Sequence, residues 1–176
     1  NGLSSDFIYQ VFVDSRGRVW FATDGRGVDV LEAGKFQHYE EGLPSKVAYG
    51  FAEDSLHRVW ANVQGNGLYF FEDGKFSPLD SKARLRSNDI NGIAADENGS
   101  IVAVHELGID VIDSRQKTVR FYGEESGLRD KVPTLNALSR DPYGTIFIGS
   151  GSGIVRYNAD VEAPQQFPEV FIDQLK

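Results

Sequence analysis

Apolar residues along this chain fall in short runs of four to seven, rich in Val, Ile, Phe, Tyr and Trp and closed by Gly, Asp or Asn. Runs of that length and composition are strands joined by hairpins, not helices. The order of the runs repeats. Arg18-Val19-Trp20-Phe21 and Arg58-Val59-Trp60-Ala61 stand 40 residues apart. An Asp precedes each apolar anchor by five positions: Asp14 before Val19, Asp54 before Val59, Asp96 before Ile101 and Asp141 before Ile146. Four copies therefore follow one another at spacings of 40, 42 and 45 residues.

Within a copy the signals keep one order. A Gly-Leu pair opens it (Gly2-Leu3, Gly42-Leu43, Gly127-Leu128), replaced in the third copy by Arg84-Leu85. A first strand such as Ile8 to Val13 or Ile90 to Ala95 leads to a turn, Asp14-Ser-Arg-Gly17, Asp96-Glu-Asn-Gly99 or Asp141-Pro-Tyr-Gly144. Asp first and Gly fourth suit a type I turn with a bulge, because Asp caps the turn and Gly accepts positive φ; His57 takes the glycine's place in the second copy and is expected to be strained. A second strand follows, then a glycine break at Gly27, Gly67, Gly108 and Gly153, a third strand, and a short fourth carrying Phe36 and Tyr39 or Phe121 and Tyr122. Four strands in about 42 residues describe one propeller blade. The expectation is an all-β chain of about four four-stranded antiparallel blades, a partial β-propeller, with copies at 2–41, 42–82, 83–126 and 127–164. Trp20 and Trp60 share one phase, with Phe147 in the same slot, so they are read as packing between blades and not as sugar-stacking platforms.

The pattern Gly-Leu, apolar strand, Asp-x-x-Gly-x-Val-Trp, Gly-Val or Gly-Leu, then Phe-x-x-Tyr resembles the two-component regulator propeller repeat, most closely over Gly2 to Phe36 and Gly42 to Phe76. The third copy departs from it by losing Gly-Leu and the Trp. The resemblance implies the periplasmic sensor region of a bacterial membrane receptor ending in a histidine kinase, hybrid or not, or in a diguanylate cyclase. It implies a propeller without catalysis of its own, and glycans or their breakdown products as one ligand class. It also implies that 165–176, with the alternating run Pro168-Glu-Val-Phe-Ile-Asp-Gln-Leu175, is a linker and fresh strand leading toward an immunoglobulin-like module. A propeller enzyme acting on polysaccharide, lyase or hydrolase, and a non-catalytic protein-interaction propeller are the alternatives.

Charge and composition narrow the partners. A net charge of −8 and a pI near 4.9 lack the basic footprint that nucleic acid or an anionic membrane surface requires. Without cysteine there is no disulfide or thiolate chemistry. The absence of methionine and the start at Asn1-Gly2-Leu3 read as a piece of a longer protein, and no apolar run of membrane-spanning length is present. Each Asp-x-x-Gly turn offers too few carboxylates for a calcium loop. His38, His57 and His105 fall at different phases of the repeat, against a shared zinc site or catalytic cluster. The glycine run 149–153 leads into a strand and not a helix, so it is no phosphate loop. No catalytic residue, metal or cofactor is assigned.

In a blade, the loops after the second strand and before the first line one face. That rule places Asp24 and Arg26, Gln64 and Asn66, His105 and Glu106, and Ser150 and Ser152 on one rim, with Lys46 and Asp89 nearby. Arg26, Asn66 and His105 are the candidate ligand contacts, for an unidentified small ligand. Four blades also leave the apolar flanks of the first and last without neighbours, so the chain is expected to self-associate through its end blades as two half-rings. The alternative is that the four close alone, with Val170-Phe-Ile172 as the strand missing from the fourth copy.

Overall fold

The computed structural model describes residues 2–80, 84–126, 128, 132–159 and 171–173. Four antiparallel sheets succeed one another, each a meander in chain order. Blade one is β1 (Ile8–Val13), β2 (Val19–Thr23), β3 (Val28–Glu32) and β4 (Lys35–Tyr39); blade two is β5 (Ala48–Glu53), β6 (Val59–Val63), β7 (Gly67–Glu72) and β8 (Lys75–Pro78). Blade three is β9 (Ile90–Ala95), β10 (Ile101–His105), β11 (Gly108–Asp113) and β12 (Thr118–Tyr122); blade four is β13 (Pro133–Arg140), β14 (Ile146–Ser150), β15 (Gly153–Tyr157) and β16 (Phe171–Asp173). These are the four four-stranded propeller blades the repeat predicts. The copy boundaries at 82–83, 127 and 164 lie outside the described residues.

The strand in the tail pairs with β15, Val155 opposite Ile172 and Arg156 opposite Phe171, the place that the alternative reading gives to Val170-Phe-Ile172. It is the outer strand of blade four. Without it, β15 would present a row of unpaired N–H and C=O groups at a sheet edge, which an extended segment satisfies.

The Asp turn is a clasp that ties backbone to core. Asp14 Oδ1 accepts from the Arg16 and Arg18 N–H groups, at 3.0 and 2.9 Å. Its Oδ2 accepts from Arg18 Nε at 2.7 Å and from the buried Trp20 Nε1 at 2.8 Å. Asp54 repeats every contact with Leu56, Arg58 and Trp60. The guanidinium of Arg18 lies 4.8 Å from the Trp20 ring and 5.9 Å from Phe71 of the next blade, so the clasp also braces the inter-blade contact. The fourth turn position has φ of +77° at Gly17 and +59° at His57, confirming that the histidine sits in a glycine conformation.

Burial alone would raise the Asp14 and Asp54 pKa values, but the tryptophan and backbone hydrogen bonds and the arginine charge outweigh it and hold both below the ordinary carboxylate range. Blade three lacks the arginine and tryptophan: Ser100 and Val102 stand in their places. Burial then wins, and Asp96 is raised despite N–H groups from Asn98 and Ser100 and the Tyr157 hydroxyl.

No blade has a core of its own. Trp20, Val28 and Val30 of blade one pack against Phe51, Ala61 and Phe76 of blade two. Trp60 and Leu68 pack against Ile93 and Ala103 of blade three. Val102 and Ile109 pack against Ile148 and Val155 of blade four. Among the described residues no buried cluster joins blade four back to blade one; the two meet at the axis, where Asn136 Nδ2 donates to the Tyr9 carbonyl at 3.4 Å.

The opposite pKa shifts give a testable contrast. Asp14 has a lowered folded pKa, so its contribution is present above the unfolded value and lost as pH falls through the folded one. Asp96 has a raised folded pKa, so its charge costs stability at neutral pH and protonation relieves that cost. Asp14→Asn is expected to lose about 2–3 kcal/mol at pH 7 and to flatten the acid side of the stability profile. Asp96→Asn is expected to change stability at pH 7 by less than about 1 kcal/mol. Urea unfolding at pH 7 and pH 4 checks both; equal losses for the two variants would contradict this account.

Candidate ligand site at the axis

All four first strands bulge at the end nearest the axis. The register slips between Ile8 and Gln10, between Ala48 and Gly50, between Ile90 and Gly92, and between Pro133 and Leu138. Tyr9, Tyr49 and Asn91 drop out of the ladder, as does the stretch containing Asn136 in blade four. A bulge re-aims the side chain it carries, here toward the convergence of the blades. Asn136, at φ of +54°, donates through Nδ2 to the Tyr49 carbonyl at 2.7 Å and to the Tyr9 carbonyl at 3.4 Å. Asn91 donates to the Pro133 carbonyl at 3.2 Å, and the Tyr9 and Tyr49 rings meet edge to face at 5.0 Å.

Above these residues lies a cavity of about 550 Å³ shared by blades two, three and four. Its polar lining is Tyr49 and Asn91 from the bulges, Gln64 from the β6–β7 turn, Ser87 and Asp89 from the segment entering β9, and Glu106 from the β10–β11 turn. Leu107 and Leu135 supply apolar wall. The loops are tied to their neighbours through backbone: the Gln64 N–H donates to the Val47 carbonyl and the Gly67 N–H to the Asn88 carbonyl, both at 3.0 Å. Those bonds put the turn after each second strand beside the entry to a first strand, as the blade rule expects.

The three candidate contacts do not meet. Asn66 is exposed, donates to the Gln64 carbonyl at 2.6 Å, and lines a separate cleft of about 280 Å³ with Asn88 and Arg84. Arg26 is exposed on the β2–β3 turn and lines neither space. His105 departs from expectation: it is 1% exposed, not a rim contact. Its Nδ1 accepts the Leu107 N–H at 3.2 Å, so the proton sits on Nε2, which faces Asp110 Oδ2 at 3.2 Å. Its ring stacks on Phe121, with the Arg86 guanidinium 4.8 Å from that ring's centroid. Asp110 Oδ2 also accepts the Arg86 N–H at 2.6 Å. The imidazole is a strut that fixes the turn bearing Glu106 and Leu107. Blade one has a looser analogue, with Asp29 bound to Ser4 and to the half-exposed His38.

Of the other rim residues, Gln64, Asp89 and Glu106 reach the cavity. Ser150 is turned back to the Gly153 carbonyl, and Lys46 pairs with Glu40 at 2.9 Å. Sequence reading missed Tyr49 and Asn91. A signal was present: Tyr9, Tyr49, Asn91 and Asn136 recur at the repeat spacing, polar or aromatic at one position of an otherwise apolar strand. Among the described residues no group of three or more His, Asp or Glu could hold a metal.

The chain is similar to the extracellular domain of the hybrid two-component system BT4673 from B. thetaiotaomicron, at 22% identity and a TM-score of 0.77 over 99% of this chain and 25% of that one. It is similar to the corresponding domain of BT3049 from the same organism, at 17% identity and a TM-score of 0.61 over 96% and 31%. Virginiamycin B lyase from Staphylococcus aureus shares 15% identity with a TM-score of 0.73 over 94% and 54%. The chain thus spans about a quarter of the BT4673 domain. At such identities the likeness establishes the β-propeller fold. Residues 2–25 match the family described as two-component regulator propeller. No curated protein matches the chain.

Because His105 is a buried strut, His105→Ala is expected to cost about 2–4 kcal/mol by removing one of the two partners of Asp110 Oδ2 and opening a cavity beside Phe121. Arg26→Ala and Asn66→Ala are expected to stay within about 0.5 kcal/mol. Urea unfolding of the three single variants measures this, and an unaffected His105→Ala would refute the strut.

Proposed function

We propose that this chain is a ligand-sensing part of the extracytoplasmic region of a bacterial membrane receptor of the two-component type, with the axial cavity as its ligand site. The observation that carries the reading is a cavity whose polar lining is contributed by blades two and three, with Leu135 of blade four closing it. The two-component regulator propeller match at 2–25 supports the receptor context. A ligand held by loops from several blades binds one spacing of those blades better than another. That difference in affinity is what shifts a receptor between two states. The output is a histidine kinase or a diguanylate cyclase elsewhere in the receptor, and the propeller itself does not turn over substrate.

The lining favours a ligand that donates hydrogen bonds. Asp89 and Glu106 are acceptors when ionised, Gln64 and Asn91 both donate and accept, and among the described residues no cation lines the cavity. A neutral or amine-bearing sugar fits that chemistry, and a uronate is repelled. Arg26 and Asn66 stand on the same face outside the cavity, where they meet a longer ligand, and His105 acts through the position of Glu106.

An enzyme reading draws on the likeness to the lyase, of which a variant with one histidine replaced by alanine is catalytically inactive. Here none of His38, His57 and His105 lines the axial cavity, which favours binding over turnover.

Calorimetry with neutral, amino and acidic oligosaccharides tests the proposal. Binding of a neutral or amino sugar is expected, weakened about tenfold or more by Glu106→Gln or Asp89→Asn, each loss of a charge-assisted bond being worth that much. Selective binding of acidic sugars, or release of reducing ends or unsaturated products, would overturn it.

A further inference from the structure

The turn between β10 and β11 carries Glu106 and Leu107 into the wall of the axial cavity. His105 pairs with Gly108, so these two are the central residues of a tight hairpin. A two-residue hairpin follows the twist of its strands best with positive φ at its centre. The β3–β4 hairpin complies, with Ala33 at +48° and Gly34 at +76°, and so does β7–β8, with Asp73 at +50° and Gly74 at +82°. Neither Glu106 nor Leu107 has a positive φ. Both are exposed, so packing does not hold the turn either. Its tether is the buried His105 ring, whose Nδ1 accepts the Leu107 N–H at 3.2 Å.

The repeat shows how particular that tether is. Thr23, Val63, His105 and Ser150 close the second strands of the four blades. Thr23 and Ser150 each donate a hydroxyl to the carbonyl of the glycine break, at 2.7 and 3.1 Å, and Val63 is apolar. Blade three alone places a titratable group there. Two charged groups stand around the ring. Asp110 of β11 accepts from Nε2 through Oδ2, and its buried Oδ1 finds no hydrogen-bond partner among the described residues. Arg86, from the segment entering β9, lies with its guanidinium against the Phe121 ring of β12. The charges of the turn itself and of the approach to β9, Glu106 and Asp89, line the cavity. Blade four presents Pro133, Ile148, Ser150 and Val155 beside the imidazole, none of them titratable.

An imidazole that takes a second proton becomes a donor at both nitrogens. At Nε2 nothing is lost, because the bond to the Asp110 carboxylate becomes charge-assisted at both ends. At Nδ1 the new N–H points at the Leu107 N–H, donor against donor, and the tether fails. We propose that His105 is an acid-operated latch on the axial site: the neutral ring holds Glu106 and Leu107 at the cavity, and a proton on Nδ1 releases that turn while Asp110 keeps the ring in place. The consequence for binding, a weaker hold in acid, rests on the ligand reading above. The movement of the turn does not.

Nuclear magnetic resonance of the 176-residue chain without ligand tests the latch, so its failure is distinct from a failure of any sugar to bind. At neutral pH the His105 nitrogens are expected to show a bare Nδ1 and a protonated Nε2. On acidification the Leu107 amide is expected to shift with the imidazole's own midpoint. Its hydrogen exchange, relative to an unstructured peptide, is expected to speed up about tenfold or more, the scale of one lost hydrogen bond, while amides in the middle of β11 stay protected. The response is expected to persist when Asp89→Asn and Glu106→Gln together remove the cavity's carboxylates. It is expected to vanish in His105→Gln, whose amide does not titrate; if that variant loses its fold, the matched midpoints in the parent carry the test. A Leu107 amide that stays still while the imidazole titrates would overturn the latch. So would a Leu107 response that disappears with the two carboxylates, or a ring that carries its neutral proton on Nδ1 or stays neutral until the chain unfolds.

Discussion

A four-stranded blade has two apolar faces and nothing between them, so each sheet in this chain is folded only by being sandwiched. That constraint organises the rest. It explains why the apolar pattern in the strands lacks a polar side: Val59–Val63 is buried along its whole length, as is Ile101–His105, because both faces meet protein. It explains why stability is distributed as three inter-blade cores in place of one centre.

Stacking sheets is not enough, because each hairpin must enter its sandwich at a fixed angle. The Asp clasp supplies that angle. One carboxylate collects two turn N–H groups, an arginine and the indole of the residue that fills the interface, linking backbone path to packing in a single group. Blade three shows what happens when the cation and indole are absent: the same carboxylate remains, held by turn N–H groups, and its burial goes uncompensated. On the same side of the arc the turns lean on each other, Ser15 on Glu53 and Ser55 on the Gly99 carbonyl.

At the axis the requirement reverses. Inner strands converge and a continuous ladder would leave no room for side chains, so each strand bulges and turns one residue inward. In this chain that residue is a tyrosine twice and an asparagine twice. Asn136 bonds the backbones of two other inner strands, a use of an amide that fixes blade spacing. The cavity above is polar because these side chains and the adjoining turns line it. Any occupant there bridges blades, which is why the site and the spacing of the blades are one mechanical unit.

The blade architecture was legible in the chain itself: the short apolar runs, the Asp turn, the glycine break and the Trp slot depend on residues close in sequence, and the spaced copies reinforce them. The glycine break illustrates how local the cause is, since a Cβ on Gly27 would stand 2.5 Å from the Tyr39 carbonyl of the paired fourth strand. The site was only half legible. Gln64 and Asn66 sit two residues apart on one turn, yet the turn's path sends one into the axial cavity and the other into a neighbouring cleft. His105 looked like a rim residue because its loop is one, but Asp110 and Phe121, brought beside it by the β10–β11 and β11–β12 pairings, take its ring inward. The tail strand was readable as a strand and, in one of two readings, as the missing outer strand of blade four; which edge it joins is decided by which edge lies vacant. Sequence by itself determined the repeated local geometry; tertiary structure decided burial, register slips and edge pairing, because those follow from what arrives from elsewhere in the chain.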